Sequence, residues 1–266
     1  MKIYISADIE GVTGITHWDE TEKSKSDHRE FAKQMTDEVK AACDGAIKAG
    51  AKEIWIKDAH DSGRNIIAAE LPQSIRLVRG WSEHPFLMVQ ELDKSFDALL
   101  MIGYHSFGSS SSNPLSHTLS SSAFNYIKLN GEYASEFLIA GYAAATMGVP
   151  VVFISGDEGI CKDAEKVNKN IKTVAVNKGV GNSVISIHPK LAVEKIKNSV
   201  ESKLKEDIDK CKIKLPEHFK VKISYKKHAD AFKASFYPGI KQISSTSLVF
   251  ETDSYFEVLR MLLFVM

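Results

Sequence analysis

The sequence predicts an α/β fold: a largely parallel sheet flanked by helices, with a smaller C-terminal α+β part. Two observations carry that prediction. The first 160 residues or so alternate between short apolar runs and stretches of helical periodicity. The runs are apolar almost throughout, as in strands of a parallel sheet covered on both faces, and not at every second residue.

In chain order, MKIYISAD reads as the first strand. From Arg29 to Ala49, Phe31, Met35, Val39, Ala42 and Ala46 recur at helical spacing, with Ser26 or Asp27 as cap and Gly50 as stop. Glu53 to His60 (EIWIKDAH) is the next strand, and a loop with a short helix leads to IRLV at Ile75–Val78. A helix is expected near Phe86–Leu92, then a strand over Phe96–His105, an Ala-rich helix over Tyr133–Met147, and a buried strand over Val149–Gly159. Beyond Gly159 the pattern loosens. KTVAVN is a short strand, and His188 to about Asp209 a Lys-rich amphipathic helix with Pro189 in its first turn. KVKISYK, a small helix at Ala229–Phe232, SLVFE and a helix from Ser254 close the chain. These last elements either extend the first sheet or form a second unit. The second arrangement is expected, with a metal-binding α/β domain over 1–165 and a smaller α+β domain over 166–266.

Composition narrows the function classes. Hydrophobic residues make up 44% and charged residues 26%, an ordinary globular balance. Lys+Arg and Asp+Glu both number 34, so no net field draws nucleic acid or an anionic membrane. Neither is expected as a partner. Cys43, Cys161 and Cys211 are widely spaced and form no CxxC, which suits reduced thiols in the cytoplasm. Two acids within the first ten residues argue against a signal peptide, and no apolar run approaches a membrane span.

The strand ends carry the chemistry. The first ends in Asp8 and Glu10, the second in Asp58 and His60, the third in His105, and the fourth in Asp157 and Glu158. Ligands of parallel α/β sheets gather outside the carboxyl ends of strands. Any one such tip is more often solvated than functional; four on one edge are harder to dismiss. Asp/Glu/His ligation without thiolate suits zinc, manganese or a similar divalent ion in a hydrolytic site. Asp8 and Glu10, side by side in a strand, repel each other until a cation lies between them. After His105, SFGSSSSNPLSHTLSSS reads as a flexible loop or lid with one imidazole, His117, which can transfer a proton or stabilise an oxyanion.

SADIEG resembles the SxDxEG signature of the zinc-dependent D-aminopeptidases. The likeness continues through KDAH (Lys57 to His60), GYHS (Gly103 to Ser106), LSH (Leu115 to His117), GVPVVFISGDE (Gly148 to Glu158) and GIKQISSTSLVF (Gly239 to Phe250). It spans the chain and is weakest from Asn182 to Lys226. It implies two zinc ions per subunit, or another divalent metal. Asp8 would bridge them, Glu10 and His105 would complete one ion, and His60 and a helix glutamate the other. Spacing to GVPVV favours Glu136 as that glutamate, with Glu132 in reserve. His117 matches the family's catalytic histidine, as acid/base, oxyanion stabiliser or nucleophile. The resemblance implies cleavage of the N-terminal residue from short peptides, D-Ala peptides in particular, by a ring-built homo-oligomer of decamer size. The residues alone leave another dinuclear metal hydrolase, phosphoesterase-like, and a non-catalytic metal- or peptide-binding protein as alternatives. GVGNS (Gly179 to Ser183) is a faint glycine-rich signal, read as a turn.

Overall fold

The computed structural model describes residues 1–266. In chain order it begins with β1 (Lys2–Ala7), α1 (His28–Lys48), β2 (Glu53–Asp58), β3 (Ile75–Val78) and β4 (Ala98–Tyr104). A hairpin follows, β5 (Phe124–Leu129) and β6 (Glu132–Tyr133), then α2 (Glu136–Thr146), β7 (Val151–Asp157) and α3 (Glu158–Val167). Next come β8 (Lys172–Val180), β9 (Ser183–Ser186) and α4 (Pro189–Lys203). The chain ends with β10 (Phe219–Tyr225), α5 (His228–Ala234), β11 (Lys241–Gln242), β12 (Ser247–Thr252) and α6 (Tyr255–Val265).

Seven strands form one sheet in the order β3-β2-β1-β4-β7-β8-β9, parallel except for β9. The order runs outward from β1 through β2 to β3, then returns to β4 on the other side. The topological switch point therefore lies between β1 and β4, where a crevice opens at the carboxyl ends of the strands. A second, antiparallel sheet has the order β11-β12-β10-β5-β6. One core lies between the first sheet and α1 and α4, and holds Ile3, Ile5 and Ile56. The other joins the opposite face of that sheet to α2, α3, α6 and the second sheet.

The fold departs from the expected elements at several points. Phe86–Leu92 makes only a 3-10 turn at Leu87–Val89, because Leu87 and Glu91 sit at positive φ and cannot continue a helix. The Ala-rich helix starts at Glu136: Ser135 caps it by accepting from the Leu138 N–H (3.2 Å), and Glu132–Tyr133 pairs instead with β5. That hairpin turns at Asn130-Gly131, both at positive φ, the residues favoured in a tight two-residue turn. α3 is a helix beyond the expected elements: Asp157 caps it, and Ile160, Cys161 and Ala164 bury one face. α4 stops at Lys203, short of Asp209. Nor do the sheets divide the chain at residue 165. β8 and β9 extend the first sheet, and residues 124–133 belong to the second.

Candidate metal centre

β1 leaves the sheet at Ala7, and the chain turns at once, so Asp8 and Glu10 are brought together by this turn and not by the pleat of a strand. The turn is fastened to β4: the Asp8 N–H donates to the Ile102 carbonyl and the Gly11 N–H to that of Gly103, both at 2.8 Å. Gly103 has φ +70°, and a Cβ there would collide with the Asp8 carbonyl oxygen. His60 follows β2, His105 follows β4, and Glu136 is the first residue of α2. The loop after His105 returns His117 over the same spot.

Each carboxylate is shared between two imidazoles. Asp8 Oδ1 lies 3.4 Å from His60 Nδ1, and Asp8 Oδ2 lies 3.5 Å from His105 Nε2. Glu10 faces His60 Nδ1 at 3.0 Å and His117 Nε2 at 3.9 Å. Glu136 faces His105 Nε2 at 3.4 Å and His117 Nε2 at 3.6 Å. Asp8, Glu10, His105 and Glu136 are 1–3% exposed and His60 is 8% exposed.

Burial and charge oppose each other here. Burial, and then the charge of Glu10, hold the Asp8 carboxyl well above the usual carboxylate range. Burial would raise Glu10 too, but His60 and His117 outweigh it and hold Glu10 well below its ordinary value. Glu136 is likewise lowered, with His105 outweighing burial. Burial would discharge His60 and His105, yet the carboxylates, Glu10 for the first and Glu136 for the second, raise both. Burial and the neighbouring His105 lower His117, which keeps it neutral at pH 7.

The donor set fits divalent cations. His60 Nε2 lies 3.0 Å from the Thr21 carbonyl, His105 Nδ1 2.9 Å from the Ser106 carbonyl, and His117 Nδ1 2.9 Å from the Leu115 carbonyl. A carbonyl only accepts, so each of these nitrogens carries an N–H, and each ring turns its other nitrogen inward. Asp8 Oδ2, Glu10 Oε2 and His105 Nε2 have no hydrogen-bond partner. Buried polar atoms of that kind call for a ligand. Three groups bring their ligand atoms within 4.8 Å of one another: Asp8, Glu10 and His60; Asp8, His105 and Glu136; and Glu10, His105 and His117.

The structure thus brings together Asp8, Glu10, His60, His105, Glu136 and His117. One group holds Glu10 with His105, as the expected partition has it, while the others set Glu10 with His60 and His105 with Glu136, and no group holds His60 with Glu136. Glu132 is exposed on β6. Asp58 accepts from the backbone N–H groups of Asn65 (2.5 Å) and Ile66 (2.8 Å) and shapes the loop after β2. Asp157 caps α3, and half-buried Glu158 pairs with Lys162 at 2.7 Å. A cavity of about 430 Å³ opens over the centre, walled by Trp18, Trp81, Leu87, Leu119 and Leu263. Sequence reasoning missed these wall residues because most come from loops, where no periodicity marks them. Trp18 meets His117 edge-on at 5.4 Å, and His105 stacks on His117 at 4.4 Å.

The model of the family described as D-aminopeptidase matches residues 1–264. A D-aminopeptidase of Bacillus subtilis (strain 168) is 26% identical over 270 residues, covering 99% of this chain and 96% of the relative. A solved structure, the Zn-dependent D-aminopeptidase DppA from Bacillus subtilis, described as a self-compartmentalizing protease, superposes with a TM-score of 0.91. It is 24% identical and covers 100% of this chain and 96% of that one.

Proposed function

Because this chain belongs to the D-aminopeptidase family, we propose that it removes the N-terminal D-residue, D-Ala above all, from short peptides at a centre of two zinc ions. One observation supports this most: three imidazoles, each tied outward through one ring nitrogen, turn the other nitrogen towards three buried carboxylates. Asp8, with one oxygen towards each half, would be the shared ligand. Glu10 and His60 complete one half, His105 and Glu136 the other. Divalent ions held there would supply charge to polarise a peptide carbonyl and to acidify water near neutral pH.

The rest is done by the chain. His117, neutral and N–H-bonded to Leu115, has a free Nε2 to accept a proton and return it to the leaving amine. Trp18 and its neighbours keep bulk water from the bond being cut. The cavity lining carries Glu22, Asp61 and Glu83 and no lysine or arginine, which suits a substrate entering with a free ammonium group. The same lining disfavours a phosphate dianion, so a phosphoesterase is the weaker reading. We extend the proposal to a cytoplasmic, ring-built homo-oligomer of decamer size. It draws support from the self-compartmentalizing relative and from exposed Phe232, Phe236 and Phe264.

The test is turnover by the zinc-loaded protein of D-Ala-D-Ala against L-Ala-L-Ala. A D preference abolished by chelator is expected. Turnover of neither peptide by a metal-bearing protein would leave a metal centre with a different substrate.

A further inference from the structure

Asp157 ends β7 as one of the polar strand tips, yet it belongs to none of the three ligand groups. It is fully buried and satisfied by neutral donors alone. Its Oδ2 accepts from the Ser106 backbone N–H (2.7 Å) and from Asn113 Nδ2 (3.3 Å). Its Oδ1 accepts from Ser106 Oγ (2.5 Å) and from the Ile160 N–H (2.9 Å), the last of these capping α3.

Ser106 is the residue after His105, and its carbonyl takes the His105 Nδ1–H. Asn113 Nδ2 also donates to the Glu10 carbonyl (3.0 Å), and Asn113 Oδ1 accepts from the Leu115 N–H (2.8 Å). The Leu115 carbonyl in turn takes the His117 Nδ1–H. One carboxylate thereby reaches Glu10, His105 and His117 through one intermediate residue or two.

We propose that Asp157 is the positioning residue of the metal centre, its Oδ2 fixing Ser106 and Asn113 and, through them, Glu10, His105 and His117. This rests on the metal-centre reading above. The competing account is that Asp157 only caps α3. Two substitutions separate them, because they break opposite halves of the arrangement. Asp157→Ser keeps a hydroxyl that caps Ile160 but is too short to reach Ser106 and Asn113. Asp157→Asn can keep an oxygen towards the Ser106 N–H and Asn113 and donate to Ser106 Oγ, leaving only the cap unmade.

The experiment measures the dissociation constant for zinc by competition with a chromophoric chelator, alongside the unfolding temperature of each variant. Asp157→Ser should bind zinc about tenfold or more weakly than the parent, as loss of a residue that orients ligands does. Asp157→Asn should stay within about threefold of the parent even if its unfolding temperature drops. The reverse order, or parental affinity in both, overturns the proposal. If Asp157→Ser does not fold, Asn113→Ala leaves the cap and both Ser106 bonds intact. It must then weaken zinc about tenfold, and unchanged affinity overturns the proposal. A parent chain that takes up no zinc would instead overturn the reading of the centre itself.

Discussion

Asp8 shows how one residue can hold two halves of a site together. Its two oxygens face different histidines, 3.4 Å and 3.5 Å away, and burial leaves it no water to answer its charge. Asp8→Ala should therefore empty both halves of the centre, not one. Zinc per chain, measured by elemental analysis, should fall towards zero and turnover by more than about 100-fold, beyond the loss typical of an outer residue. A variant keeping half its zinc would show that Asp8 is not shared. Asp8, Glu10, His60 and His105 were legible as candidates because polar residues ending apolar strands stand out, whereas Glu136, on a helix, was reached only through the family resemblance. The pairing of these residues was not legible, since it depends on which way a turn and a loop swing after the strand. Lys57 was passed over for a related reason: it reads as a strand residue. It is fully buried, its ammonium donates to the Gly80 carbonyl (2.6 Å) and lies 3.8 Å over the Trp81 ring. Burial lowers it to about 8. The unfolded chain, with its ordinary lysine, binds more protons than the folded one between about pH 8 and about pH 10. Stability relative to Lys57→Met should therefore rise with pH across that window, as denaturant melts of the pair would show. A constant difference would mean that Lys57 titrates as an exposed lysine.

At the scale of elements, helices with a wide apolar face were the easiest to place, and α1 lies within a residue of its expected bounds. The β5–β6 hairpin escaped because its strands are short and follow a serine-rich loop, although Asn130-Gly131 is the residue pair such a turn demands. α2 is the element on which the site most depends, since its first residue is Glu136. Two bonds set that turn: Ser135 Oγ accepting from the Leu138 N–H, and Glu136 Oε1 accepting from the Leu119 N–H at 2.7 Å. Ser135→Ala removes the first and should cost about 1 kcal/mol. For a chain of this size that lowers the unfolding temperature by about 2–4 °C. Zinc affinity should weaken with it, because Glu136 loses one of its two restraints. A melting shift without any change in zinc binding would mean that the Leu119 bond alone holds the ligand.

For the whole molecule, the two sheets share a core that runs from Tyr4 and Leu99 through Phe137 to Ile127, Val221 and Leu248. A chain cut at residue 165 would split both sheets, so the protein should unfold in one transition. The centre is then coupled to global stability. Without cations, the folded chain holds extra protons there: His60, His105 and Asp8 are all raised above their ordinary values. Groups raised in the folded state contribute stability that is present at low pH and lost as pH rises through their folded values. The metal-free protein should therefore lose stability as pH rises above about 6.5, where free histidine and carboxyl groups have discharged and the folded ones still hold protons. Zinc runs the other way, since it takes neutral imidazoles and ionised carboxylates and must displace those protons. Its stabilisation, about 4 kcal/mol at a thousandfold excess over the dissociation constant, is largest where no proton competes. The gap in unfolding temperature between zinc-loaded and chelated protein should consequently widen from about pH 6 to about pH 8, as paired calorimetric scans would record. A gap that is constant or narrows would show that metal uptake releases no protons, and the histidines would have to be removed from the ligand set.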